Sequence, residues 1–332
     1  MPMRLQNSVK RLAQLFKCNM EEIVLQQIMS AMRKYSVEAR LDQSFCQLTT
    51  FGTGGKIAVT LYPDTIPKLN KVVKLLEKLK ATYCILGKGS NVLAADCDYD
   101  GVVVLTTRLS SITFKGNCVY VLAGTSTVTL GKELQARGLS GGEFLSCLPA
   151  TVGGAVVGNA GCFGQDIEKI LVGVEILHNG KRKWLSKSKC KLKKRGSIFK
   201  EQNGYVALAA KFKFTQSTVD EVKCRVNDMR NRKAASQPLN YRSAGSVFFH
   251  DNVAVSRLID QAGLKGYTVG GAQVSNKHAG FILNVDKATS KDIYLVMQHV
   301  ETTLWERYGV RVKREVQLIN FTKENDDIFS KR

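Results

Sequence analysis

Two stretches decide how this chain is read: Leu86-Gly87-Lys88-Gly89-Ser90-Asn91, and further on Leu148-Pro149-Ala150-Thr151-Val152-Gly153-Gly154-Ala155 with Asn159-Ala160-Gly161 behind it. The first leaves a β-rich run at 83–86 directly. Residues without a Cβ let consecutive N–H groups turn toward one anion, and a nest of that kind suits a pyrophosphate. The second stretch again permits close approach of the main chain. A structural turn explains either stretch taken alone; the pair points to a phosphate-bearing cofactor held by backbone. Neither spells the dinucleotide fingerprint G-x-G-x-x-G, because no helix-initiating third glycine follows at the right offset.

Outward from these loops, composition narrows the field. A chain of 332 residues, 44% of them apolar, exceeds what one hydrophobic core usually supports, so two or three packed units are expected. Forty-nine Lys and Arg against 28 Asp and Glu leave +21, a field that concentrates anions, whether phosphorylated metabolites or nucleic acid. The 9 cysteines contain no C-x-x-C pair, which argues against a zinc ribbon and a secreted disulfide framework and for reduced thiols. No window is apolar enough for a membrane helix. Arg4, Lys10, Arg11, Lys17, Glu21 and Glu22 interrupt what would be a signal peptide, so a soluble, cytoplasmic protein is expected. No G-x-x-x-x-G-K-[ST] occurs, which excludes a P-loop kinase or ATPase. With 4 histidines, widely spaced, and no H-E-x-x-H, no metal site is expected and proton transfer calls for something other than a histidine relay.

The pattern along the chain predicts four regions: a helical N-terminal extension (1–40), a cofactor-binding part with short strands and glycine-bearing loops (41–214), an α+β unit (215–320) and a tail (321–332). One helix in the cofactor part puts Leu69, Val72, Val73, Leu76 and Leu79 on one face. Asn179-Gly180 within 170–185 predicts a hairpin with a type I′ turn. The boundary at 215 rests on Thr218-x-x-Glu221, the signature of a capped helix start. Helices over 253–261 and 292–308 and a closing strand over 310–320 complete the reading. The second helix carries Ile293, Val296, Met297, Val300 and Leu304 as a core stripe and stops at Gly309.

A longer ordered series carries a resemblance. It comprises Thr50-Phe51-Gly52-Thr53-Gly54-Gly55, the 86–91 loop, Ala123-Gly124, Gly142-Glu143-Phe144-Leu145, the 149–155 and 159–161 loops, and Arg195-Gly196-Ser197-Ile198-Phe199-Lys200. Ser243-Ala244-Gly245-Ser246-Val247-Phe248, Ala262-Gly263-Leu264-Lys265-Gly266 and Gly270-Gly271-Ala272-Gln273-Val274-Ser275 follow in order. Over about residues 45–320 the chain resembles the UDP-N-acetylenolpyruvoylglucosamine reductases (UDP-N-acetylmuramate dehydrogenases), in the shorter of that family's two types.

The resemblance implies an α+β fold: a two-part FAD-binding region of the vanillyl-alcohol-oxidase type followed by an α+β substrate-binding domain. It also implies non-covalent FAD, NADPH as reductant, and conversion of UDP-GlcNAc-enolpyruvate to UDP-N-acetylmuramate in peptidoglycan precursor synthesis. Gly87, Lys88, Gly89, Ser90, Asn91, Gly124, Pro149, Thr151, Val152, Gly153, Gly154, Asn159, Ala160 and Gly161 become the expected cofactor-binding residues. Arg195 takes the position that stabilises an enediolate-like intermediate, Glu315 that of the carboxylic acid beside the same oxygens, and Ser246 that of the proton donor to C2. Arg230, Lys233, Arg242, His250 and His278 are the expected substrate contacts.

The chain departs from the family where Lys194 replaces the usual Tyr before the arginine, where Phe248-Phe249-His250-Asp251 replaces Phe-Lys-Asn-Pro, and where Gly280 stands for a common Asn. Lys194 is expected to restrain Arg195 or to compete for the substrate's phosphates. A monomer is expected, with no nucleic-acid or membrane partner. The alternatives are a diverged flavin oxidase of the same superfamily and a basic nucleic-acid-binding protein. With no histidine before 178, a histidyl flavin link at 87–91 is impossible, which favours dissociable FAD.

Overall fold

The computed structural model describes residues 20, 22–202 and 204–321. Helix expected over residues 1–19, and the tail over 322–332, lie outside the described residues.

The first unit is a four-stranded sheet in the order Glu38–Arg40, Ile57–Tyr62, Tyr99–Leu105, Tyr83–Leu86. Its last three strands run parallel, as a connection through a helix requires. That helix, Ile66–Lys78, starts at Thr65, whose side chain accepts from the Lys68 N–H, and buries Leu69, Val72, Val73 and Leu76. Helix Glu22–Tyr35 packs Leu25, Ile28 and Met32 into the same core. The expected extension is therefore no separate piece: its helix joins the core of the first unit, and Glu38–Arg40 pairs with Ile57–Tyr62 as the edge of the sheet.

The second unit is an antiparallel five-stranded sheet, Lys181–Ser186, Leu171–His178, Tyr205–Lys213, Cys118–Leu122, Ile112–Lys115. The hairpin at its edge turns through Asn179 (φ 50) and Gly180 (φ 67), the positive angles that the Asn-Gly pair predicts. Against this sheet lie helices Thr127–Ala136 and Val152–Val157 and the 3₁₀ turn Glu143–Cys147.

Helix Val219–Ser236 begins with the expected capping box, Thr218 with Glu221. It nevertheless packs back on the second unit. Arg225 pairs with Glu143 at 2.9 Å, and Lys233 Nζ donates to the Cys147 carbonyl at 2.6 Å. The expected boundary at 215 accordingly moves to about 237, because a cap marks where a helix starts and carries no information on which core receives it.

The C-terminal unit surrounds helix Ser290–Tyr308, whose Ile293, Val296, Met297, Val300 and Leu304 are core as expected, with Gly309 closing it at φ 63. A three-stranded sheet (Thr268–Val269, Ala272–Val274, Ile282–Asn284) and helix Val255–Gln261 pack on it. The expected strand over 310–320 is two strands. Lys313–Arg314 pairs with Phe248–Phe249 inside the unit, whereas Gln317–Ile319 pairs in parallel with Val92–Ala94 of the first unit. Glu315 and Val316 lie in the break, where the chain crosses between units.

Candidate active site

A cavity of about 1090 Å³ opens where the three units meet, with the 87–91 loop, the 147–163 segment and residues 243–246 in its wall. It is larger than an ordinary single-ligand cleft. Its two ends are built differently.

At one end the wall is backbone. Gly89 has φ +60, and a Cβ there would lie 2.1 Å from the Leu48 carbonyl oxygen; one on Gly87 would lie 2.3 Å from Thr151 Oγ1. Both positions need glycine for the loop to seat at all. Among the described residues, the N–H groups of Lys88, Gly89 and Ser90 have no protein acceptor, and all three residues line the cavity, which leaves these donors available to an anion there. Thr50, whose buried Oγ1 has no partner among the described residues, lines the same end. Lys88 Nζ rests on Ser126 Oγ at 2.8 Å and adds one cation. Donors, an orphaned hydroxyl and a Cβ-free cradle fit a dinucleotide pyrophosphate.

Of the expected cofactor residues, Gly87, Lys88, Gly89, Ser90, Asn91, Pro149, Thr151, Gly153, Gly154, Ala160 and Gly161 line the cavity. Gly124, Val152 and Asn159 do not. Gly124 is glycine because its main chain passes the Thr106 carbonyl, which a Cβ would approach to 1.7 Å. Val152 is core. Asn159 donates to the Lys193 carbonyl at 3.1 Å and accepts from the Glu168 N–H at 2.9 Å, so it braces a turn rather than a ligand. The second loop also gives closeness more than donors: the N–H groups of Val152 and Gly153 bond to the Thr125 and Ala123 carbonyls.

At the other end the wall is side chains. Arg195 sits at φ 58 in a turn closed by reciprocal 3.0 Å bonds between Lys193 and Gly196. Its Nε lies 2.9 Å from Glu315 Oε1, and Nη2 donates to the Gly161 carbonyl at 3.0 Å. Burial pushes the Glu315 carboxyl above the usual carboxylate range, against the opposing pull of Arg195 and Lys200. The Glu315 N–H donates to the Val247 carbonyl at 2.7 Å, which holds the acid beside Ser246. Among the described residues, Ser246 Oγ has the Phe248 carbonyl as its partner, at 3.5 Å. A Cβ on Gly280 would come within 3.0 Å of that oxygen, so the glycine keeps space around it. Arg195, Ser246 and Glu315 all line the cavity.

The expected substrate contacts divide. Lys233 and His278 line the cavity; Arg230, Arg242 and His250 do not. Burial pushes the His278 pKa down, and its Nδ1 accepts from the Gly280 N–H at 3.2 Å, which assigns a neutral ring with its proton on Nε2. Arg242 lies across Gly52 instead of into the cavity, and His250 Nδ1 accepts from the Asn252 N–H at 3.2 Å. Lys194 reaches away from the site: its Nζ donates to the His250 and Asp251 carbonyls at 2.8 and 3.2 Å, a restraint on the Arg195 turn and no competitor for phosphates. Lys200, not singled out from sequence although it closes the Arg195 block, contacts the carbonyls of both Arg195 and Glu315.

Comparison with known proteins identifies the family and its cofactor-binding domain. A family profile described as UDP-N-acetylenolpyruvoylglucosamine reductase, C-terminal domain, matches residues 237–319, and an FAD binding domain profile matches residues 57–186. The UDP-N-acetylenolpyruvoylglucosamine reductase of Alkaliphilus oremlandii is 34% identical over 282 residues, 84% of this chain and 92% of that protein. Its counterpart from Clostridium novyi is 36% identical over 279 residues, 83% and 91% respectively. The crystal structure of UDP-N-acetylenolpyruvylglucosamine reductase from Thermus caldophilus superposes with a TM-score of 0.72 at 29% identity, covering 85% of this chain and 98% of that one.

Proposed function

The chain belongs to the UDP-N-acetylenolpyruvoylglucosamine reductases, FAD enzymes that reduce UDP-GlcNAc-enolpyruvate in peptidoglycan precursor synthesis, and we propose that Arg195, Glu315 and Ser246 carry the chemistry of that reduction here. The single observation behind this assignment is the 2.9 Å Arg195–Glu315 pair facing the same cavity as Ser246, although the three residues come from distant parts of the chain.

The N–H groups at 88–90, with Thr50 and Lys88, would hold the FAD pyrophosphate non-covalently. Bound there, FAD would supply hydride to C3 of the enolpyruvyl group, with NADPH as its reductant. Negative charge then moves onto C2 and the carboxylate of the substrate, which Arg195, permanently cationic and fixed by Glu315 and Gly161, grips. Glu315, whose carboxyl burial pushes above the usual carboxylate range against the pull of Arg195 and Lys200, is placed to donate a hydrogen bond to the same oxygens when it carries its proton. Ser246 delivers the proton to C2; a serine is a weak acid, so the step needs a strongly basic carbanion. Lys233 and His278, which line the same cavity, are the remaining substrate contacts of this reading. A nucleotide-sugar substrate and NADPH as reductant support a cytoplasmic location, and a monomer is the assembly to check by sedimentation.

Anaerobic half-reactions test the assignment. Ser246→Ala is expected to leave bleaching of the 450 nm band by NADPH intact and to slow reoxidation by UDP-GlcNAc-enolpyruvate by about 10²-fold or more. Normal reoxidation removes Ser246 as donor. Because the folded pKa of Glu315 is raised, its proton is present at low pH and lost as pH rises through that value, so reoxidation in the wild type falls on the alkaline side.

A further inference from the structure

Lys200 stands in a short helix, Ile198–Glu201, behind the reacting residues. Its Nζ lies 3.4 Å from the carbonyl oxygen of Arg195 and 3.4 Å from that of Glu315. Among the described residues no carboxylate pairs with it, and burial pulls its pKa down while Glu315 pulls it up and Arg195 down again. A lysine with a flexible stem ordinarily turns its ammonium to water, and leaving that charge half-buried against two carbonyls is costly unless something is held in return. What it spans is specific. The Arg195 turn belongs to the second unit, and Glu315 lies in the strand break of the C-terminal unit, with its carbonyl also bonded by Asn91 Nδ2 at 3.1 Å. Arg195 itself is in the left-handed region, which a residue with a Cβ holds only when its surroundings impose it.

We propose that Lys200 is the positioning residue of the Arg195–Glu315 pair: its ammonium, shared between the two main-chain carbonyls, fixes across the unit boundary the separation at which guanidinium and carboxyl meet the substrate. This rests on the reading of Arg195 and Glu315 given above.

The test is Lys200→Met in the FAD-loaded enzyme, beside Arg195→Lys. Flavin content should be retained, and kcat and kcat/KM for reoxidation by UDP-GlcNAc-enolpyruvate should fall together by on the order of 10²-fold, as a displacement of about 1 Å produces. The charged groups facing Glu315 are Arg195 and Lys200. Removing the second lets the acid keep its proton to higher pH, so the alkaline limb of the rate profile should move up, a change that mere loosening would not produce. Lys200→Arg, which keeps the charge, should recover most of the rate and restore the limb. If Lys200→Met loads no flavin, Lys200→Gln is measured in its place and should show the same limb shift. A rate within about threefold of wild type with an unmoved limb overturns the positioning role. Should Arg195→Lys be equally silent, the reading of the pair itself fails; should Arg195→Lys alone impair reoxidation, only Lys200 is removed.

Discussion

The two ends of the cavity contrast in what they are made of. The 87–91 end is main chain, with Gly89 seated against backbone, Gly87 against the Thr151 side chain and, among the described residues, the N–H groups of 88–90 without a protein acceptor. The 195–315 end is side chains drawn from two units and held by contacts between carbonyls and cations. Backbone cradles form from local sequence, since each donor is one residue from the next. A side-chain cluster of this kind forms only after its units have docked. The contrast means that damage at the first end should abolish cofactor retention, whereas damage at the second should spare the cofactor and alter rates.

A pair of alanine substitutions puts the largest expected effect on that contrast. In Gly89→Ala the new Cβ meets the Leu48 carbonyl at 2.1 Å and Thr49 Cα at 2.9 Å, backbone atoms with nowhere to go, at a φ of +60. Strain and overpacking together should cost about 2–5 kcal/mol, and the purified variant should be colourless. Gly245, at φ +79 beside Ser246, has nothing within 4 Å of its Cβ position. Gly245→Ala should lose only the conformational part, about 1–2 kcal/mol, and stay yellow. Equal flavin content in the two purified variants, read at 450 nm, would break the distinction between the ends.

A smaller effect probes the clasp across the boundary. Lys194→Ala removes two contacts to the His250 and Asp251 carbonyls from an exposed amine. Since the net worth of such bonds is modest, reoxidation by substrate should slow about threefold, roughly 0.6 kcal/mol, with bleaching by NADPH unchanged. A loss as large as that expected for Lys200→Met would mean that the whole turn, and not the shared ammonium, sets the geometry.

How much of this was legible follows the same division. The glycine loops, the Asn179-Gly180 hairpin, the buried face of Ile66–Lys78 and the stripe of Ser290–Tyr308 are all local patterns, and the structure carries each of them. Arg195, Ser246 and Glu315 were reached through a resemblance, since a turn serine, a cation in a basic run and a strand-edge acid have no local mark of function. Residue type likewise says nothing of direction. Arg242 turned onto Gly52, His250 onto its own loop and Lys194 onto a neighbouring main chain, because tertiary acceptors decided where each side chain went. The break at Glu315 was hidden for a related reason: the mixed apolar and polar run over 310–320 predicts one strand, and pairing with Val92–Ala94 of another unit divides it.

The smallest effect tests where the two kinds of region meet, through helix Val219–Ser236. Burial pushes the Glu143 carboxyl up, but bonds from main-chain N–H groups, Ser140 and Arg225 more than offset this and hold it below its usual range. A depressed folded pKa gives stability that is present above the unfolded pKa and lost as pH falls through the folded one. Arg225 is 43% exposed on its side chain, so solvent screens its share, and Arg225→Ala should cost about 0.5–1 kcal/mol at neutral pH. The difference in melting temperature from wild type should shrink on acidification as Glu143 takes up its proton. Because this helix anchors on the Glu143–Cys147 turn of the second unit and not on the C-terminal core, the change should appear in flavin-domain melting with the substrate KM unaltered. A raised KM with unchanged melting would return the helix to the substrate unit and the boundary to 215.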